Sequence, residues 1–364
     1  MKVKDLCCYL DSAIPLSFQE GYDNSGLQSG DPEKELLSAM ISLDVTEEVI
    51  DEAITTGCGM IISHHPLIFS GIMKLTGRSQ PERIIIKAVR HDIAIYSAHT
   101  NLDSYRYGVS RKMAEKLGLG NIKVLAPMKD RLMKLVTFVP ESHIEKVRRA
   151  VFDAGAGVTG NYDQCSFSAA GTGSFRGNDD ANPFVGERGK LHFEKELRFE
   201  TIFPSHLKDD VINGLLTAHP YEEAAFDIVK LENDYYSSGM GCTGELQEKM
   251  GKDAFLELVS SLFGPGCLRY SGCNIEQIRR VAVCGGSGSG LLAKAINSGS
   301  DAFITADVKY HTFFEAAGRI LLIDAGHFET EKFAQEILYD LIIKKFPKFA
   351  LRFSETNTNP INYY

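Results

Sequence analysis

Short apolar runs and amphipathic stretches alternate along the first 128 residues, and that alternation sets the expected elements. Apolar positions at helical spacing predict a helix over residues 3–14. Residues 37–43 read as a strand, and Asp44-Val45-Thr46-Glu47-Glu48 as a helix start with an acidic first turn, the helix ending at Gly57. The pattern continues with a buried strand over 60–62, a helix over 81–90 with Pro81 near its first turn, a strand over 93–96 and a helix over 109–117 stopped by Gly118. Strands separated by helices argue for βαβ units and a largely parallel sheet. The last third repeats the style, with strands at 281–284, 302–305 and 320–323 and helices at 291–297, 312–317 and 328–344.

The middle has a different order. A strand over 132–139 precedes a helix over 141–154, a glycine-rich stretch over 155–160 and strand-like residues 166–203 interrupted by a polar loop at 177–183. A helix over 205–218 and a strand over 226–231 follow. The order β-α-β-β-α-β is the ferredoxin-like motif. The fold class expected is therefore α/β: a domain of parallel or mixed sheets flanked by helices, made of residues 1–129 and 234–364, with a ferredoxin-like α+β domain inserted at 130–233. Residues 233–241, rich in Asn, Ser, Tyr and Gly, read as the return linker. No short-period repeat is present.

Composition narrows the function classes. The chain has 364 residues, enough for two or three domains, and 44% hydrophobic with 24% charged residues is ordinary globular usage. No apolar run approaches the roughly 18 residues that span a bilayer. Acidic Asp5 and Asp11 arrive too early for a secretory leader, so a cytoplasmic location is expected. The net charge of −9 disfavours nucleic acid as a partner. The 8 cysteines form no C-x-x-C pair and read as reduced thiols.

Three loops could carry chemistry, and each follows an apolar strand at its carboxyl end, where α/β sheets bind ligands. Ser63-His64-His65-Pro66 follows the strand at 60–62; Pro66 ends the ladder, so both imidazoles can reach one cluster. Ser97-Ala98-His99-Thr100-Asn101-Leu102-Asp103 adds a carboxylate and an imidazole after the strand at 93–96. Asp324-Ala325-Gly326-His327-Phe328-Glu329-Thr330-Glu331 places His327 and Glu331 four apart, one turn from each other on a helix. Taken singly, these are also a surface histidine pair, a turn-forming loop and an acidic first turn facing the helix dipole. Together His64, His65, Asp103, His327 and Glu331 make five N/O donors, more than the three protein ligands of a single catalytic zinc. Five donors plus water suit two divalent ions, and the absence of thiolate favours Zn, Fe, Mn, Co or Ni.

Gly285-Gly286-Ser287-Gly288-Ser289-Gly290 follows a strand and opens a helix, so Gly286, Gly288 and Gly290 are candidates for seating a substrate anion on backbone N–H groups. The same six residues also make a plain tight turn, or loosely a dinucleotide loop; no Lys-Ser/Thr follows, which excludes a P-loop. Asp307, Lys309 and His311 close the next strand and could line the cleft. His99, Lys309 and His311 are the candidate catalytic groups.

The motifs Tyr22-Asp23-Asn24-Ser25-Gly26-Leu27-Gln28, Ser63-His64-His65-Pro66, His99-Thr100-Asn101-Leu102-Asp103, Gly286-Ser287-Gly288, Asp307-Val308-Lys309-Tyr310-His311 and Gly326-His327 with Glu331 appear in this order. Their combination resembles the GTP cyclohydrolase I type 2 homolog family, also called Ngg-one-interacting-factor-three-like proteins, over nearly the whole chain. Tyr22 stands where many relatives carry Trp. The resemblance implies a toroidal homohexamer with a dinuclear metal centre whose ligands fall on His64, His65, Asp103, His327 and Glu331. Gly155-Ala156-Gly157-Val158-Thr159-Gly160-Asn161-Tyr162 and His219-Pro220-Tyr221-Glu222-Glu223 resemble the family's inserted domain, similar to the nitrogen-regulatory P-two trimers. The expected function is a metal-dependent hydrolase acting on a nucleotide-like or phosphorylated small molecule. The alternatives are a non-catalytic metal-binding or regulatory hexamer and a dinucleotide-dependent oxidoreductase.

Overall fold

A computed structural model describes residues 1–364. Contacts divide the chain into two units, residues 1–126 with 238–364, and residues 127–237.

The first unit contains two sheets. In one, strands Gly26–Ser29, Ala94–Ser97, Met60–Ser63, Ser38–Ser42 and Ala350–Phe353 lie side by side, all parallel except the first. In the other, Gln277–Val283, Ala302–Thr305 and Leu321–Asp324 run parallel, with Arg269–Tyr270 and Tyr235–Gly251 antiparallel on either side and Gly120–Met128 beyond. The two-residue alternation of a strand explains the layering. Ala39, Ile41, Met60, Ile62, Ala94 and Tyr96 of the first sheet share one core with Val281, Val283, Ala302, Ile304, Leu321 and Ile323 of the second. Helices Val3–Ala13, Val109–Lys116, Lys252–Phe263 and Ala334–Lys345 contribute to that shared core. The intervening residues point the other way. Met40, Ile61 and Ile95 meet helices Glu47–Thr56 and Gln80–Arg90, while Ala282, Phe303 and Leu322 meet Leu292–Asn297 and Tyr310–Ala316. Strands buried on both faces are continuous apolar runs, which is how the sequence reads there.

Local chemistry sets the helix ends. Thr46 Oγ1 accepts from the Val49 N–H to cap Glu47–Thr56, and Gly57 closes that helix in the left-handed conformation at φ 69°. Ser79 caps Gln80–Arg90 in the same manner.

The second unit is one antiparallel sheet in the order Ser166–Phe175, His192–Pro204, Leu132–Pro140, Phe226–Leu231. Helices Ile144–Asp153 and Lys208–Ala218 pack on it through Val147, Val151, Val211 and Leu215 against Leu135, Phe199 and Phe203. This is the ferredoxin-like arrangement.

Two expectations change. The helix expected over 328–344 is two helices, His327–Glu331 and Ala334–Lys345. The break is held by the Lys332 ammonium, which donates to the Phe263 carbonyl at 2.6 Å, and by the Phe333 ring against Phe263 at 5.8 Å. Residues 233–241, expected as a linker, are largely strand: Tyr235–Gly251 runs through them. No helix is long and apolar enough to cross a membrane.

Candidate metal centre

The parallel strands of both sheets deliver their carboxyl ends to one place in the first unit. Met60–Ser63 ends at His64-His65, Ala94–Ser97 leads into the one-turn helix Thr100–Asp103, and Leu321–Asp324 leads into the one-turn helix His327–Glu331.

Each imidazole in this cluster is held by its Nδ1. His64 Nδ1–H donates to the Ala98 carbonyl at 2.8 Å; His65 Nδ1 meets Asp44 Oδ1, His327 Nδ1 meets Asp307 Oδ2 and His99 Nδ1 meets Asp23 Oδ1, each at 2.7 Å. An oxygen on Nδ1 fixes ring orientation and leaves Nε2 as the working nitrogen, the usual support of a histidine metal ligand. Asp307 takes a left-handed backbone at φ 53° to make its contact, and such strain gathers at functional sites.

The Nε2 atoms converge on Glu331. His65 Nε2 lies 2.8 Å and His327 Nε2 2.9 Å from Glu331 Oε2, and the two nitrogens are 3.3 Å apart. Two imidazole ligands at about 2.0–2.1 Å from one tetrahedral zinc would be separated by roughly 3.3 Å. His64 Nε2 lies 3.7 Å from Asp103 Oδ1 and 3.8 Å from Glu331 Oε2. Both His64 Nε2 and Asp103 Oδ1 are buried without a hydrogen-bond partner. Native proteins rarely leave such atoms orphaned unless a water or ion serves them. The ligand atoms of His64, His65 and Glu331 all lie within 4.8 Å of one another, so this group could bind a metal ion.

The electrostatics agree with a site prepared for positive charge. Burial opposes charge on His327 and His65, yet Asp307 with Glu331 raises His327 to about 11, and Asp44 with Glu331 raises His65 to about 9. Burial works to raise Glu331, but the imidazoles around it, His327 foremost, hold its carboxyl well below the usual range. Asp103 goes the other way: burial first, and the Glu331 charge besides, push it up. Asp23 stays ionised although burial opposes it, because His99 and Thr100 hydrogen-bond to it.

The structure brings His64, His65, Asp103, His327 and Glu331 together, with His99 beside them: its ring centre lies 5.4 Å from His64 and 5.5 Å from His65. Lys309 and His311 are exposed and make no bond to the cluster; His311 packs on Tyr310 at 5.4 Å. The glycine loop serves a purpose other than the one expected from sequence. The Gly286 N–H donates to Thr330 Oγ1 at 3.0 Å and the Gly288 N–H to Thr305 Oγ1 at 2.9 Å, so both point into the protein rather than at an anion. A Cβ on Gly286 would collide with Glu331 Oε1, which accounts for glycine there. Gly290 is exposed, with open space around it.

Sequence reasoning missed Asp23, Asp44 and Thr358. Asp44 follows the strand Ser38–Ser42, so the carboxyl-end rule could have found it. Thr358, whose Oγ1 donates to Asp44 Oδ2 at 2.6 Å, carries no sequence signal.

Comparisons with known proteins place the chain among relatives of the same fold. The chain is 42% identical over 315 residues to the GTP cyclohydrolase 1 type 2 homolog of Halalkalibacterium halodurans, covering 86% of this chain and 85% of that one. It is 38% identical over 359 residues to the GTP cyclohydrolase 1 type 2 homolog of Bacillus subtilis, covering 96% and 95%. Among solved structures, a Bacillus cereus protein related to NIF3 superposes with a TM-score of 0.86 at 37% identity, covering 100% of this chain and 99% of that one. The family model for Duf34/NIF3 (NGG1p interacting factor 3) matches residues 1–360, and the chain belongs to that family.

Proposed function

We propose that the chain holds two divalent metal ions and is a metal-dependent hydrolase of a nucleotide-like or phosphorylated small molecule. His65, His327 and Glu331 would hold one ion, and His64 and Asp103, again with Glu331, the other. The observation that carries this reading is the buried, partnerless pair His64 Nε2 and Asp103 Oδ1 beside two pinned imidazoles that share one carboxylate oxygen. The donors are nitrogen and oxygen only, which suits Zn, Fe, Mn, Co or Ni.

Such a pair of ions, when bound, would lower the pKa of water and offset negative charge on the attacked group. The chain's own residues handle the proton and the substrate. Asp23, ionised and buried, orients the His99 ring through Nδ1, leaving its Nε2 unpartnered to take or return a proton. Phe69, an exposed ring 6.3 Å from the His99 ring and 6.2 Å from Tyr22, can stack on a flat base. Lys309 is the candidate to meet an anionic group. The name of the curated relatives points to a guanine nucleotide, and the family resemblance to a sixfold ring; mass in solution tests the latter.

Elemental analysis should give two metals per chain. A screen of nucleotides, dinucleotides and phosphodiesters should show turnover abolished by chelation and restored by Mn or Co. Asp103→Ala should lose one ion and the turnover; full turnover with two ions retained would defeat the proposal. Metal-dependent partner capture with no turnover across the screen would favour the regulatory reading.

A further inference from the structure

We infer, resting on the two-ion reading above, that residues 354–359 form a strap that positions two of the metal ligands. Thr358 sets the His65 ring through Asp44, and Asn359 sets the His327 turn through Glu329. Strand register brings the strap to the centre. Ala350–Phe353 lies parallel to Ser38–Ser42 with Phe353 opposite Ile41, and the Ser354 N–H continues the ladder to the Ile41 carbonyl at 2.8 Å. Both chains therefore leave the sheet at the carboxyl end of the parallel strands, where the ligand loops lie, one into residues 354–359 and the other into Asp44.

Along the strap Ser354, Thr356 and Thr358 are half-buried while Glu355 and Asn357 are exposed, the two-residue alternation of an extended chain. Each inward hydroxyl meets a carboxylate. Ser354 Oγ and Thr356 Oγ1 donate to Glu52 Oε2, and the Glu355 N–H donates to Glu52 Oε1 at 2.8 Å. Glu52 belongs to the helix Glu47–Thr56, so the strap is fastened before it reaches the centre.

Thr358 Oγ1 donates to Asp44 Oδ2 at 2.6 Å, and the other oxygen of that carboxylate meets His65 Nδ1. A carboxylate turns easily about its last torsion. A partner on each oxygen fixes its plane, and with it the direction of the His65 ring. Asn359 Nδ2 donates to Glu329 Oε1 at 3.1 Å. Asn359 is itself oriented: its N–H donates to Asn357 Oδ1 and its Oδ1 accepts from the Ile361 N–H, each at 3.1 Å. Glu329 is buried within the single turn His327–Glu331, its other oxygen so close to Gly326 that a Cβ there would collide. The strap thus ties the loop after the first sheet to the turn after the second. His65 and His327, the imidazoles braced in this way, are the pair that share Glu331 Oε2 and stand 3.3 Å apart. His64 is held instead by the Ala98 carbonyl. Loss of the strap's grip should therefore cost one ion and spare the other.

The test loads the full chain with cobalt(II) alone and reads the ions by stepwise chelator competition and by the visible absorption of bound cobalt. Thr358→Val, which nearly keeps the side chain's shape and removes its hydroxyl, should weaken one ion about 10-fold or more and shift its absorption, leaving the affinity of the other in place. Thr358→Ser, which returns a hydroxyl, should restore both readouts. Asn359→Ala should weaken the same ion, and it decides the matter should Thr358→Val fail to fold. Unchanged binding in these variants, or equal loss of both ions, overturns the strap while leaving the two-ion reading intact. A wild-type chain that takes up no cobalt overturns both.

Discussion

At the residue scale the metal centre is a contest between burial and partnership, decided differently for each group. Asp103 and Glu331 are both buried carboxyls, yet one is pushed toward its neutral form and the other held ionised, because hydrogen bonds reach Glu331 and none reaches Asp103 Oδ1. Folding raises His65 from 6.5 to about 9, so the stabilisation it lends the metal-free chain is full below 6.5 and lost by about 9. The melting temperature of chelated protein should therefore fall between those pH values, as read by scanning calorimetry. For the same reason metal loading near pH 7.5 must expel protons from His65 and His327, and the heat of binding should vary with the ionisation enthalpy of the buffer. Asp44→Asn, which weakens the hold on His65 Nδ1, should lower metal affinity by about 10–100-fold in a chelator competition.

At the element scale, the donors' precision depends on short pieces of structure that propensity does not announce. His327–Glu331 is a single turn, as is Thr100–Asp103. Sequence spacing found His327 and Glu331 because an i, i+4 pair shares a face whether the helix runs for one turn or five, and Asp103 was found by its place after the carboxyl end of a strand. It did not find the break at Lys332-Phe333, which depends on a distant Phe263. The long apolar strands were legible from their runs of Ile, Val and Ala. The strands Gly26–Ser29, Arg269–Tyr270 and Ala350–Phe353 were not, since each is a short edge whose pairing comes from a neighbour far along the chain. Tyr235–Gly251 was read in part as linker because Ser and Gly dominate where the strand begins. Gly286 was legible as a turn but not as the floor beneath Glu331. Gly286→Ala, at φ 58°, should strain the turn and displace that carboxylate, costing about 1–3 kcal/mol in chemical denaturation together with most of the bound metal.

At the scale of the whole molecule, the division of labour follows the division of cores. Every side chain in the His/carboxylate cluster belongs to the first unit, while Leu135, Val147, Phe199, Phe203, Val211 and Leu215 form a core that is wholly in the second. Replacing residues 127–237 by a short flexible linker should leave a folded chain whose metal content per molecule matches that of the full protein, measured by elemental analysis. The βαβ repetition and the β-α-β-β-α-β order made both halves of this architecture readable. What no local pattern could disclose is that two sheets, rather than one, share the donors.

Thr358 reaches Asp44, which braces His65, so parts of the centre lie 314 positions apart. A ribosome would therefore have to synthesise the chain past Thr358 before the cage could close. Nascent fragments would lack the means to retain an ion, and metalation becomes a late event of maturation rather than a nucleus for folding. Stalled chains halted before His327 should come away empty even from a metal-rich translation mix.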